Sequence, residues 1–397
     1  MVNFTTIDLK TFLSDYWQKK PLLIRNALPD FINPLTPDEL AGLALDEEVE
    51  SRMVFHTPAQ APYWQLKRGP FLEGDFSQLP TTHWTLLVQG VDQLVPEVAD
   101  ILESFNFIPS WRLDDVMISY AVTQGSVGPH YDHYDVFLYQ ASGQRKWSLT
   151  TKHCHETNYV KDVELRIMAQ FDVEQEYILE PGDMLYLPPH VGHHGVSLSD
   201  DCMTYSVGYR SYRGQELLNS FNDYLAETGQ ASALYCDPNW NDAQGTSVIP
   251  PQAWMNAKKV LQHMLDDDNA LKTWFGCFAT QLDQQTELHM PIPLEEEEWG
   301  ELSEFLDILR MEERMFRDAT CRMAYEHELE QVKLFINGVE WETQGVSGEL
   351  LRYVANHRVL ELADLKPYVE QSRNQELLYD LWKLQWLQFE SDFSNED

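Results

Sequence analysis

The chain has 397 residues, of which 64 are acidic and 28 basic, for a formal net charge of -36 at neutral pH. That length asks for two or three domains, and 43% hydrophobic with 12% aromatic residues suffices for sizeable cores, which excludes a disordered chain. So acidic a surface repels phosphate backbones, which argues against broad nucleic-acid binding, and it draws in Lys- and Arg-rich partners.

No apolar run is long enough to span a bilayer. The opening MVNFTTIDLK lacks a basic start followed by an apolar stretch, so no secretion signal is expected. The five cysteines (Cys154, Cys202, Cys236, Cys277 and Cys321) are scattered and never spaced C-x-x-C. A disulfide framework or zinc finger is not expected, and a reducing cytoplasmic setting is.

Residues 6–19 carry helical spacing through Leu9, Phe12, Leu13, Tyr16 and Trp17, Pro21 ends the run, and 22–24 enter a strand. From there to residue 212 the pattern is mostly β. Short apolar or alternating runs at 117–122, 136–140, 146–149, 184–187 and 204–209 are separated by Gly, Pro, Asn and Asp clusters at 123–129, 180–183 and 188–195. Such punctuation predicts an antiparallel sandwich or barrel. From residue 213 the period turns helical, with helices expected at 215–228, 253–264 and 270–282 and a break at Pro250 and Pro251. These amphipathic helices serve either dimer contacts or the capping of the barrel. Residues 290–298 (MPIPLEEEE) read as a linker. Beyond it, a helix at 299–313, strands at 332–336 and 339–342 around an Asn337-Gly338 hairpin turn, and helices at 348–356 and 375–389 fit a small winged-helix-like α+β domain. Its acidity favours a structural or protein-contact role. The boundaries are therefore 1–212, 213–290 and 291–397.

The chemistry concentrates in Gly128, Pro129, His130, Tyr131, Asp132, His133, Tyr134 and Asp135. In extended backbone, residues i and i+2 share a face, so His130 and Asp132 project together. His133 and Asp135 fit the same H-x-D spacing. A second imidazole can come from 182–195, which holds His190, His193 and His194. Two imidazoles and one carboxylate on one face of an octahedron form the facial triad of non-haem iron(II) oxygenases, with three positions open. Arg145 lies one hairpin later, two residues before Trp147, and a buried guanidinium there could clamp a carboxylate bidentately.

These motifs, with the Pro181-Gly182-Asp183 turn leading to Leu185, Tyr186, Pro188 and Pro189, resemble the JmjC-type 2-oxoglutarate oxygenases, and within them the bacterial ribosomal oxygenases. The likeness extends through 17–21, 37–44, 111–119, 203–210 and 272–276 and thins beyond about residue 300. It implies a double-stranded β-helix (cupin, jelly-roll) core in an α+β chain, a helical dimerisation region and a winged-helix domain. It implies His130, Asp132 and His193 as iron ligands, so that His133, His190 and His194 are decoys. It places Arg145 at the 2-oxoglutarate clamp with Ser119 and Thr204 beside it, and Asp115, Tyr134 and Ser206 around a substrate arginine. The implied reaction is iron(II)- and 2-oxoglutarate-dependent hydroxylation at the β-carbon of an arginine of large-subunit ribosomal protein L-sixteen by a cytoplasmic homodimer. The sequence departs from the family pattern at His190, which stands where a turn glycine is usual, and in the loop before Met203, which is one residue longer. The readings left open are a histidine hydroxylase or methyl-lysine demethylase, a zinc hydrolase, and a non-catalytic cupin-like chaperone of a basic ribosomal protein.

Overall fold

A computed structural model describes residues 1–58, 63–240, 245–328 and 331–389. It divides into two compact units, one of 1–211, 282–321 and 356–397, the other of 212–281 and 322–355.

Within the first unit, residues 1–211 carry eleven strands: β1 (Leu22–Ile24), β2 (Ser51–His56), β3 (Trp64–Arg68), β4 (Trp84–Val88), β5 (Leu113–Ala121), β6 (Asp135–Ser142), β7 (Arg145–Thr150), β8 (Gln175–Leu179), β9 (Met184–Leu187), β10 (Gly192–Ser197) and β11 (Cys202–Tyr209). Eight form one sheet in the order β1-β9-β6-β11-β5-β4-β2-β3, and three form a second, β10-β7-β8. Every pairing is antiparallel. This is the jelly-roll core expected from the sequence.

The continuous apolar runs at 136–139 of β6 and 184–187 of β9 follow from cover on both faces. On one face Val136, Leu138, Leu185 and Leu187 meet Trp147, Leu149 and Leu179 of the smaller sheet. On the other, Phe137, Tyr139, Tyr186, Tyr205 and Tyr209 meet Phe12, Phe31, Trp17 and Phe105 from the chain outside the barrel. The same alternation orients the functional residues. Val116 and Ile118 of β5 and Tyr205 and Val207 of β11 join that outer core. The residues between them, Asp115, Met117, Ser119, Thr204 and Ser206, therefore face the barrel interior.

The opening helix is shorter than the sequence predicts. It covers Leu9–Thr11 and widens into a π-type turn, Phe12–Tyr16, closed by the Trp17 N–H on the Phe12 carbonyl at 2.9 Å. The wide turn lets Phe12 and Trp17 both pack on Tyr186.

In the second unit, helices Gly214–Glu227, Pro251–Leu265 and Asp268–Thr280 accompany a three-stranded sheet of β13 (Met323–Glu328), β14 (Gln331–Ile336) and β15 (Val339–Trp341); β12 (Arg314–Arg317) precedes them in the first unit. The hairpin predicted at Asn337 and Gly338 is present, both residues having positive φ (48° and 85°), as a tight two-residue turn requires. Gly276 gives its helix close approach to β14, since a Cβ there would lie 2.4 Å from the Phe335 ring. The helix predicted over 375–389 is corrected. It runs Ser372–Lys383 and stops because Gln385 turns left-handed at φ 58°; the chain then forms β17 (Leu387–Phe389), which together with β16 (Val359–Glu361) flanks β12.

Candidate metal centre and adjoining cavity

His130 lies just before β6, on the turn of Gly128 and Pro129, and His193 lies in β10. The two backbones form an antiparallel bridge, with His130 N–H on the His193 carbonyl at 3.0 Å and the reverse bond at 2.7 Å. This pair brings the imidazoles together, their ring centroids 4.2 Å apart. Asp132 stands on the same face, one carboxylate oxygen 3.5 Å from His193 Nε2. Ligand atoms from His130, Asp132 and His193 all lie within 4.8 Å of one another, and this is the one such cluster among the described residues.

Each imidazole is turned by its own backbone. His130 Nδ1 lies 2.9 Å from the Gly128 carbonyl and His193 Nδ1 3.0 Å from the Val191 carbonyl. A carbonyl only accepts, so the hydrogen is assigned to Nδ1 and the Nε2 lone pairs are left for a metal. Burial lowers the His193 imidazole to about 4, with His130 adding to the effect, so the ring is a neutral donor at physiological pH.

The other candidate histidines and acids lie outside this cluster. His194 follows His193 in an extended strand and points off the other face, against Phe171. His190 is exposed at φ 62°, its N–H bonded to the Asp132 carbonyl at 2.8 Å, so it serves the turn that holds Asp132. His133 packs edge-on against His190 and Tyr131. Asp135 is fully buried and accepts from the Tyr186 hydroxyl at 2.6 Å and Gln18 Nε2 at 3.1 Å, a structural tie to the opening segment. Asp183 accepts from the Glu180 N–H at 2.9 Å and pairs with Arg25, which fixes the turn into β9.

A cavity of about 340 Å³ opens beside the triad. His130, Asp132, His193, Asp115, Tyr134 and Ser206 all line it, with Val54, Leu87, Val136, Leu138 and Trp147 as apolar wall. Asp115 accepts from Gln89 Nε2 at 2.7 Å and the Gly90 N–H at 2.9 Å. Burial raises its carboxyl to about 7, with Asp92 and Asp114 adding to the effect. Asp92 is raised for the same reason, so the buried pair holds a proton towards neutrality. Tyr134 keeps 42% of its surface exposed, so its ring face is open to a partner.

Arg145, Ser119 and Thr204 do not line this cavity. All three are buried, and Thr204 sits opposite Ser119 across the β11–β5 pairing. Arg145 Nε donates to Cys202 Sγ at 3.3 Å, its guanidinium carbon lies 5.7 Å from the Trp147 ring centroid, and its Nη2 is buried with no partner. A buried unpaired guanidinium nitrogen fits a missing carboxylate. Thr204 donates its hydroxyl hydrogen to Gln140 Oε1 at 3.2 Å. The β11–β6 register shifts here, Met203 facing Ser142 and Thr204 facing Gln140, with Ala141 passed over.

The polar cavity residues Arg52, Gln89 and Arg166 escaped the sequence reading. Arg52 of β2 lines the wall and reaches Gln89 Oε1 at 3.4 Å, so that Gln89 links it to Asp115. The signal was an arginine two positions before Val54 on one face of a strand whose other face carries Met53 and Phe55.

Residues 100–217 match a family model described as a JmjC domain, and residues 262–388 one described as a ROXA-like winged helix. The chain is 35% identical to "Ribosomal protein uL16 3-hydroxylase" of Escherichia coli over 293 residues, which is 72% of this chain and 75% of the relative. It is 30% identical to "Probable ribosomal oxygenase" of Haemophilus influenzae, covering 93% of this chain and 91% of the other. The X-ray structure of ycfD from Escherichia coli superposes with a TM-score of 0.83 at 31% identity, covering 97% and 99% of the two chains. The same ribosomal oxygenase in complex with cobalt and 2-oxoglutarate superposes at 0.79 with 30% identity and the same coverage.

Proposed function

The chain belongs to the JmjC-domain ribosomal oxygenases, and from that footing we propose that it is an iron(II)- and 2-oxoglutarate-dependent hydroxylase acting on the β-carbon of an arginine in large-subunit ribosomal protein L-sixteen. The observation that carries the reading is the convergence of His130, Asp132 and His193 on a cavity that also exposes Asp115 and Tyr134. When bound, iron(II) and 2-oxoglutarate supply dioxygen activation coupled to decarboxylation of the 2-oxo acid to succinate.

The protein's own part is holding, orienting and drying. His130 and His193 offer their Nε2 atoms and Asp132 a carboxylate oxygen, leaving half an octahedral sphere open. Arg145 offers the far carboxylate of 2-oxoglutarate its unpaired Nη2. Ser119 and Thr204 flank that position, and either hydroxyl can donate to the carboxylate, Thr204 by turning its hydrogen away from Gln140 Oε1. The substrate guanidinium pairs with Asp115, stacks on Tyr134 and donates to Ser206. The apolar wall strips water from the side chain as it enters.

The same reading takes 213–290 as the dimerisation region of a homodimer. Helix Pro251–Leu265 buries none of its side chains and leaves Trp254, Met255, Leu261 and Leu265 exposed. Residues 291–397 then serve structure or protein contact rather than nucleic acid, given the chain's acidity. All five cysteines are free, which suits a cytoplasmic setting.

The test is anaerobic addition of iron(II) and 2-oxoglutarate. The weak visible charge-transfer band of a chelated 2-oxo acid is expected, and is expected to be lost in Asp132→Ala. A colourless wild-type mixture under saturating 2-oxoglutarate would overturn the reading.

A further inference from the structure

The buried clamp is not self-supporting. Arg145 opens β7, and its guanidinium has a single side-chain hydrogen bond among those described, from Nε to Cys202 Sγ at 3.3 Å. The same sulfur accepts from Gln140 Nε2, also at 3.3 Å, and Gln140 Nε2 is anchored further on the Ser142 carbonyl at 2.7 Å and the Met203 carbonyl at 3.2 Å. Gln140 Oε1 takes the hydroxyl hydrogen of Thr204. Cys202, Gln140, Arg145 and Thr204 are all buried. They form one chain of contacts behind the position where Nη2 is left unpaired.

The turn before β7 is shaped to bring this about. Gly143 has φ 64°, and a Cβ there would lie 2.8 Å from Cys202 Cα and 2.3 Å from Ser199 Oγ. Only glycine lets the β6–β7 turn sit flush on the start of β11, which is where Cys202 enters. The passed-over Ala141 brings Gln140 rather than its neighbour opposite Thr204.

We propose that Cys202 and Gln140 are positioning residues for the co-substrate. They fix the Nε edge of Arg145, so that the Nη edge meets the far carboxylate of 2-oxoglutarate already oriented. They touch Arg145 and Thr204, not the reacting atoms. A guanidinium held at one edge loses less rotational freedom on binding than a free one, so the support appears as affinity for the carboxylate. The inference rests on Arg145 being the 2-oxoglutarate clamp.

The experiment is calorimetric titration of the full-length, manganese(II)-loaded protein with 2-oxoglutarate and, separately, with 2-oxobutanoate, which chelates alike but lacks the far carboxylate. Cys202→Ala and Gln140→Leu are each expected to weaken 2-oxoglutarate by roughly fivefold or more, the weight of one hydrogen bond, and to leave 2-oxobutanoate within about twofold. Cys202→Ser, which keeps an acceptor, is expected to recover part of the loss. Equal weakening of both ligands, or 2-oxoglutarate binding within about twofold of wild type, overturns the proposal. If Cys202→Ala does not fold, Gln140→Leu decides by the same criterion. Arg145→Ala separates the premise from the inference. Should it leave 2-oxoglutarate affinity unchanged, the clamp reading itself fails; should it weaken 2-oxoglutarate alone while both supporting variants do nothing, only the positioning role is wrong.

Discussion

In the proposed function, the residue that most constrains substrate choice is Asp115. Its carboxyl is ordinarily 3.8 and is held near 7 by burial and by Asp92 and Asp114, while Gln89 and Gly90 donate to it and Arg52 stands one side chain away. The folded state therefore keeps a proton that the unfolded chain has released. This favours the fold at low pH, and that contribution fades as pH rises from about 4 to 7. A bound guanidinium demands the opposite state, the carboxylate. Affinity for an arginine peptide is accordingly expected to rise with pH, by up to about tenfold per unit, and to level off above about 7. Peptide KM measured across pH 5.5 to 8.5 checks this, and Asp115→Asn is expected to bind weakly with a flat profile. A wild-type KM independent of pH would contradict the role. At this scale the sequence is only partly legible. H-x-D occurs twice within six residues, at His130 and at His133, and nothing in the letters alone separates a ligand from Asp135, which ties Gln18 to Tyr186. Likewise Gln140 and Cys202 carry no motif, because their role is set by a register shift between two strands.

At the level of elements, the site depends on how closely β7 and β10 approach. Gly195 of β10 pairs with Trp147 of β7, and a Cβ there would lie 2.7 Å from two atoms of the indole ring. Trp147 in turn lies beside His193, with centroids 5.7 Å apart. Gly195→Ala is expected to cost about 1–3 kcal/mol by overpacking and to weaken metal affinity as the indole is pushed towards His193. Chemical denaturation and a metal titration read the two effects. A variant as stable and as tight as wild type would contradict the packing argument. The central strands were legible because cover on both faces leaves apolar runs in β6 and β9, and because β11 alternates Thr204 and Ser206 with Tyr205 and Val207. The flanking strands β2 and β3 were not, because β3 at the sheet's edge exposes Gln65, Lys67 and Arg68, and β2 interrupts its apolar residues with Arg52 and ends on His56. The closing helix was overextended because nothing in the periodicity announces a left-handed Gln385.

For the whole molecule, the charge of -36 is a steering field for a basic partner, and the exposed apolar side chains of Pro251–Leu265 are the candidate surface for a second copy. If that helix joins two copies, Trp254→Asp combined with Leu261→Asp is expected to convert a dimer to a monomer in sedimentation velocity while the fold persists. An unchanged sedimentation coefficient would place the interface elsewhere. Composition and period located this helical region correctly but said nothing about what covers it. The claim on which the account stands is oxygen insertion directed by His130, Asp132 and His193. Its most direct test is tandem mass spectrometry of ribosomal protein L-sixteen after incubation with the enzyme, iron(II), 2-oxoglutarate and air. The expected result is one added oxygen on a single arginine, dependent on 2-oxoglutarate and abolished by Asp132→Ala. The same modification persisting in Asp132→Ala, or no modified arginine with a fully metal-loaded wild type, would contradict it.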